Sequence, residues 1–223
     1  MTDVEFDWQR ESRTGIGEAV LCQGKSVEQL KSILSVAQDR SASLLLTRIK
    51  PDAAEQLIAL GHSNLCWHRT SSTAVLDNGL PELVDSPCLI VTAGTSDMPV
   101  AEEASVTLRY YGLKVEILAD CGVAGLWRIT DKLEKLRRAP VIIAIAGMEG
   151  ALFSVLAGLV PGLIIAVPAS TGYGVGEYGK AALSSALTTC APGVVTVNID
   201  NGFGAACAML KLLRHSHYAH NQQ

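Results

Sequence analysis

Between Arg138 and Glu177 the chain carries one charged side chain, Glu149, set in Ala-Gly-Met-Glu-Gly directly after the apolar run 141–146. A carboxylate in that setting must be desolvated, paired or poised at a cleft, so Glu149 is the first candidate for acid–base chemistry. The plainer alternative is a helix-start carboxylate favoured by the helix dipole. Cys190 is the candidate nucleophile, because it follows a helical segment and precedes Ala-Pro-Gly, which places it in a loop. Cys88 opens an apolar strand and reads as inert core, and the same reading covers Cys22, Cys66 and Cys207. No histidine lies near Glu149 or Cys190 in sequence, which weakens a hydrolytic Cys–His arrangement. His215 and His217 have the chemistry to catch a transition metal, but in a polar terminus the spacing carries little weight. Trp127 and Arg128 at a helix start could touch a ligand, and Lys25 and Arg13 could reach an anion. Ordinary packing and solvated surface charge account for them equally well.

These residues need a frame, and the hydrophobic pattern supplies one. Apolar runs at 88–92, 115–118, 141–146, 163–167 and 194–199 read as buried strands. Helical segments at 98–111, 126–137, 151–158, 179–188 and 205–213 separate them. Strands that are apolar throughout and alternate with helices imply a parallel sheet covered on both faces. The expected fold class is therefore α/β, a three-layer, flavodoxin-like parallel sheet, with a smaller N-terminal α/β domain ahead of it. In the smaller domain, strands are expected at 18–22, 43–47, 65–68 and 73–76. Ser26-Val-Glu-Gln29 is a capping box that opens one helix, and Pro51 opens a second running to Leu60. The stretch before about Arg13 lacks a clear period and reads as an arm. Domain limits follow at 1–79 and 86–214, with a polar tail at 215–223.

Ligands of such sheets sit beyond the carboxyl ends of the strands. Each of the five strand ends in the second domain carries a small or polar cluster. The first holds Gly94, Thr95, Ser96 and Asp97, the second Asp120 and Gly122, and the third Gly147, Glu149 and Gly150. The fourth holds Gly172 and Tyr173, and the fifth Asn201 and Gly202. Glycines there permit close backbone approach, and Ser96 or Asp97 is expected to cap the next helix, whose free N–H groups suit a phosphate.

Composition narrows the ligand. With 48% hydrophobic and 18% charged residues in a length of 223, the chain can bury a sizeable core. A formal net charge of -4 offers no basic face for a nucleic acid or an anionic membrane, which leaves small molecules. Pro161-Gly162 divides the apolar stretch 151–166 into pieces too short to span a bilayer. Nothing near Met1 reads as an export signal, and the six cysteines lack metal-ligand spacing. A cytoplasmic protein with reduced thiols is the expectation.

Longer strings point to a family. Residues 92–103, beginning Thr92-Ala-Gly-Thr-Ser-Asp97, resemble the phosphate-binding start of the aminoimidazole ribonucleotide carboxylase (PurE) superfamily. The strings at 120–125, 146–152, 172–174, 190–193 and 197–205 resemble the LarB family, which makes pyridinium-3,5-biscarboxylic acid mononucleotide for the nickel-pincer cofactor. Gln23-Gly-Lys25-Ser-Val-Glu-Gln29 and Leu46-Thr-Arg48 fit that family's N-terminal domain. The resemblance implies nicotinic acid adenine dinucleotide and carbon dioxide or bicarbonate as substrates, with AMP as second product. It also implies a cysteine that adds to the pyridinium ring and a glutamate that assists, roles that fall on Cys190 and Glu149. It implies no tightly bound cofactor, leaves Mg open, and makes a homo-oligomer, octameric in many superfamily members, the expected assembly. Trp127, where His is expected after Gly-Leu, and Val175-Gly-Glu-Tyr178 depart from the family pattern. Two other readings stay open: a purine-pathway ribonucleotide carboxylase or mutase, and a nucleotide-binding homologue without turnover.

Overall fold

The computed structural model describes residues 5–220, with side chains described as far as Arg214. The chain divides into two compact units. One is built on the chain up to Glu82, together with Tyr110–Gly112 and the segment from Leu210; the other comprises Leu83–Arg109 and Leu113–Met209.

The first unit runs α1 (Arg10–Thr14), β1 (Val20–Leu21), α2 (Val27–Asp39), β2 (Leu44–Thr47), α3 (Pro51–Ala59), β3 (Leu65–His68) and β4 (Thr73–Leu76). Its sheet has the order β1-β2-β4-β3, with β1 parallel to β2 and the other pairs antiparallel. The capping box forms as the Ser-x-x-Gln spacing requires: Gln29 N–H donates to Ser26 Oγ and Ser26 N–H to Gln29 Oε1. That start sets the helix phase, and Leu30, Ile33, Leu34 and Ala37 turn into the core against Leu44, Leu46, Leu57 and Leu76. Each such leucine removed from water contributes about 1.5–3 kcal/mol. The expected arm is partly structured, because Phe6 and Trp8 pack on this core and α1 follows them.

The second unit runs β5 (Val84–Thr92), α4 (Met98–Tyr110), β6 (Leu113–Leu118), α5 (Trp127–Thr130), α6 (Leu133–Arg138), β7 (Val141–Ala146), α7 (Ala151–Leu159), β8 (Leu163–Pro168), α8 (Lys180–Thr188), β9 (Val194–Thr196) and the part of α9 (Gly202–His220) up to Met209. All five strands are parallel in the order β6-β5-β7-β8-β9, the flavodoxin-like winding expected. Every residue of β7 is buried, which is why its sequence shows no alternation. Phe153 and Leu156 of α7 close one face over Ile142, Ala144 and Ile164.

Several boundaries differ from expectation: β1 keeps only Val20–Leu21 of the expected 18–22, and β6 starts at Leu113 rather than at 115. β5 starts before Pro87, and its pairing with β6 shifts register between Asp85 and Leu89; proline has no N–H to give the ladder there. The helix expected at 126–137 is two short ones, α5 and α6, joined at Asp131 and Lys132, and Lys132 Nζ donates to the Arg128 carbonyl at that break. β9 keeps only three residues of the expected 194–199. α9 outruns its expected end, so the backbone of the expected polar tail continues the helix to His220, while the His215 and His217 side chains lie outside the described residues. Among the described residues no helix is long and apolar enough to cross a membrane.

Candidate functional site

At the carboxyl edge of the five-stranded sheet four loops enclose a cleft of about 360 Å³. The loop after β5 contributes Ala93, Gly94, Ser96 and Asp97, the loop after β6 residues 122–124, the turn after β7 residues 146–152, and the loop after β8 residues 171–173. Backbone strain gathers at this edge: Asp120, Met148 and Asp200 are left-handed non-glycine residues, at φ of 56°, 49° and 52°. They follow β6, β7 and β9 in turn.

Asp97 is the desolvated carboxylate of the cleft. It is 2% exposed, Oδ2 accepts the Gly94 N–H at 2.8 Å and Oδ1 accepts the Thr171 hydroxyl at 2.6 Å. Burial raises its pKa above the ordinary aspartate value, against the pull of the Thr171 and backbone hydrogen bonds and with a smaller push from Asp200. Neither Ser96 nor Asp97 caps α4 through its side chain as expected. Asp97 turns back instead to the N–H of Gly94, closing a one-turn 3-10 segment at Thr95–Asp97.

Glu149 lines the cleft but is exposed, so within one chain it is poised there rather than desolvated. Among the described residues, the lining has two carboxyl side chains, Asp97 and Glu149, and no Lys, Arg or His. Tyr173 stands at the rim, 76% exposed.

The structure brings Gly94, Ser96, Asp97, Gly122, Gly147, Glu149, Gly150, Gly172 and Tyr173 together around this one space. Thr95, Asp120, Asn201, Gly202 and Cys190 are not part of its lining. Asp120 is held by Arg128, with Nη1 to Oδ1 at 2.6 Å, while Asn201 Oδ1 accepts the Gly204 N–H and caps α9. Gly202 is buried against α4, where a side chain would meet Glu103 Oε2 at 3.1 Å. Cys190 is exposed in the segment that joins α8 to the amino end of β9, whereas Glu149 follows the carboxyl end of β7. Cys66 is exposed as well; burial pushes the thiols of Cys22 and Cys88 up to about 12 and raises that of Cys121.

Sequence reasoning missed Thr171 and Met148. Thr171, in the loop after β8, touches two of the other loops: its hydroxyl reaches Asp97 after β5, its carbonyl accepts the N–H of Met148 after β7 at 3.0 Å, and it stands where any side chain on Gly147 would point. Its place directly before Gly172, in a strand-end cluster, was the available signal.

Residues 1–78 match the family model described as the LarB/PurE-like N-terminal domain, and residues 88–223 match that described as AIR carboxylase. The chain is a LarB-type member of the AIR carboxylase family. Two of its relatives come from Methanocaldococcus jannaschii. The protein MJ0165 is 35% identical over 214 residues, 91% of this chain and 80% of the relative. An N5-carboxyaminoimidazole ribonucleotide mutase is 34% identical over 127 residues, 56% of this chain and 76% of that enzyme. Among solved structures, Treponema denticola PurE covers 59% of this chain and 91% of its own at 21% identity and a TM-score of 0.40. This LarB-type chain thus pairs a LarB/PurE-like N-terminal domain with an AIR carboxylase domain of carboxylase or mutase type.

Proposed function

We propose that this LarB-type protein carboxylates the pyridine ring of nicotinic acid adenine dinucleotide and hydrolyses its phosphoanhydride, releasing AMP and pyridinium-3,5-biscarboxylic acid mononucleotide. The observation that carries the reading is the charge of the cleft: two carboxyl groups and no cationic side chain suit a positively charged ring nitrogen. A purine-pathway ribonucleotide offers that lining no permanently cationic ring, whereas the pyridinium does. The N-terminal match to LarB supports the same choice, and the purine alternative leaves the accessible Cys190 without a task.

The chemistry follows from the electron-poor ring. The Cys190 thiolate adds para to the ring nitrogen, forming a C–S bond and sending the π electrons to nitrogen. The resulting enamine is nucleophilic at its free meta carbon, which forms the new C–C bond to carbon dioxide. Glu149 then takes the proton from that carbon, the ring regains aromaticity, and the C–S bond breaks to release the thiolate. Water attacks one phosphorus of the diphosphate and the bridging P–O bond breaks, releasing AMP, with the backbone N–H groups of Thr95 and Ser96 near the developing charge. Among the described residues no group of three or more His, Cys, Asp or Glu forms a metal-holding cluster, so Mg is assigned no protein cage here.

One requirement is quaternary. Cys190 lies outside the cleft that Glu149 lines, so the thiol that attacks the ring comes from a neighbouring copy in a homo-oligomer. The exposed Tyr173, Val175, Tyr178 and Leu187 give such an assembly apolar surface to cover. The test is incubation of the protein with the dinucleotide and bicarbonate, followed by mass spectrometry. AMP and the dicarboxylated mononucleotide are expected in equal amounts, and Cys190→Ser should form neither. Carboxylation at the wild-type rate by Cys190→Ser removes the covalent step. Turnover of aminoimidazole ribonucleotide instead favours the purine reading, and binding without product the non-catalytic one.

A further inference from the structure

We propose that Thr171 is the positioning residue of this cleft, its hydroxyl locking the Asp97 carboxylate in the orientation that a ligand's hydrogen-bond donors meet. The inference rests on the cleft being the dinucleotide site. A carboxylate has about four acceptor positions on its two oxygens. In Asp97 the Thr171 hydroxyl takes one on Oδ1 and the Gly94 N–H takes one on Oδ2, so the group is gripped from both ends while it still lines the cleft. A buried carboxylate gripped at one end only is free to rotate or to take up a proton.

Thr171 itself has little freedom. Its carbonyl accepts the Met148 N–H, and its backbone packs where Gly147 has no side chain. One residue therefore couples the β5, β7 and β8 loops, and the contact that reaches a ligand-facing group is its hydroxyl. The charged groups around Asp97 are Asp200 ahead of α9, which is near enough to disfavour its ionisation, and Glu149, which lines the same cleft. On the β6 side Asp120 is neutralised by Arg128. Against burial and the Asp200 charge, the Thr171 hydroxyl and the backbone N–H groups are what favour the ionised form.

The experiment has two arms. Carboxyl-selective carbon-13 NMR of the ligand-free protein follows the Asp97 titration, the resonance being identified by its loss in Asp97→Asn. Thr171→Val should raise the Asp97 midpoint by about one pH unit, the effect of losing one hydrogen bond to a charged group. Thr171→Ser should restore it. An unmoved midpoint in Thr171→Val, or a serine variant displaced as far as the valine one, overturns the proposal. Thr171→Ala provides the same comparison if the valine variant does not fold. In the second arm, affinity for nicotinic acid adenine dinucleotide at neutral pH should fall about tenfold in Thr171→Val and no further when that change is added to Asp97→Asn. Fully additive losses overturn the proposal. A wild-type protein that does not bind the dinucleotide, with the Asp97 midpoint still moving in Thr171→Val, sinks the substrate reading and upholds the Thr171–Asp97 coupling.

Discussion

Gly147→Ala should disable the site while leaving the fold in place. An ideal Cβ at Gly147 falls 2.9 Å from the Thr171 carbonyl carbon and closer still to its oxygen, where ordinary contact starts at 3.4 Å. The difference, 3.4 minus 2.9, means that the backbone must part by at least 0.5 Å, and further to clear the oxygen. Gly147 and Met148 are consecutive, so this parting strains the 3.0 Å Met148 N–H bond to Thr171 and, through Thr171, the 2.6 Å bond to Asp97. Misplacement of a reacting group by an ångström costs on the order of 10²-fold in rate. Overpacking of this kind costs roughly 1–3 kcal/mol, a fall of roughly 2–12 °C in Tm for a chain of this size. The assay is AMP release under kcat/KM conditions alongside a thermal melt. A folded Gly147→Ala protein whose kcat/KM stays within a few-fold of wild type would refute the idea that this close approach sets the geometry of the cleft.

Other outcomes test the frame around it. Phe153→Ala, which empties a fully buried position under the sheet, should lose about 3–5 kcal/mol in denaturant melts. Gly158→Ala, in an exposed turn of α7 with nothing within 4 Å of the new methyl, should gain about 0.5–1 kcal/mol; a loss there would mean that α7 is not a regular helix at that point. A thiol reagent should label Cys66 and Cys190 rapidly in the native protein, with Cys22, Cys88 and Cys121 protected until unfolding. Alkaline pH should destabilise the fold. The folded pKa values of Cys22 and Cys88 lie above the unfolded value of 9.0, so their contribution is full below 9.0 and lost as pH rises towards about 12. A melting temperature that is flat across that window would contradict the burial of both thiols.

The second unit was legible because its strands are buried on both faces and announce themselves as unbroken apolar runs. Their alternation with helices implies a parallel winding, and the glycine-rich strand ends mark the edge where the cleft opens. Sequence could not reveal which carboxylate is desolvated. Glu149 stands alone in an apolar stretch of sequence yet sits on a turn facing solvent, while Asp97, among polar neighbours in sequence, folds inward onto Gly94 and Thr171. Isolation along the chain is not isolation in space. Asp120, Asn201 and Gly202 satisfied the same pattern as the lining residues, but an arginine, a helix cap and a helix crossing claim them. Thr171 escaped notice because its role depends on bonds to residues 23 and 74 positions away, which no local motif records.

The separation of Cys190 from the cleft also has a genetic consequence. Under the proposed chemistry each reaction centre borrows its sulfur from one polypeptide and its carboxylate from another. Two dead alleles, Cys190→Ser and Glu149→Gln, should therefore partly rescue each other when expressed together, because some mixed assemblies contain an intact pair. Either allele expressed beside the wild type should depress activity by more than its share of the pool only if broken centres also slow their neighbours.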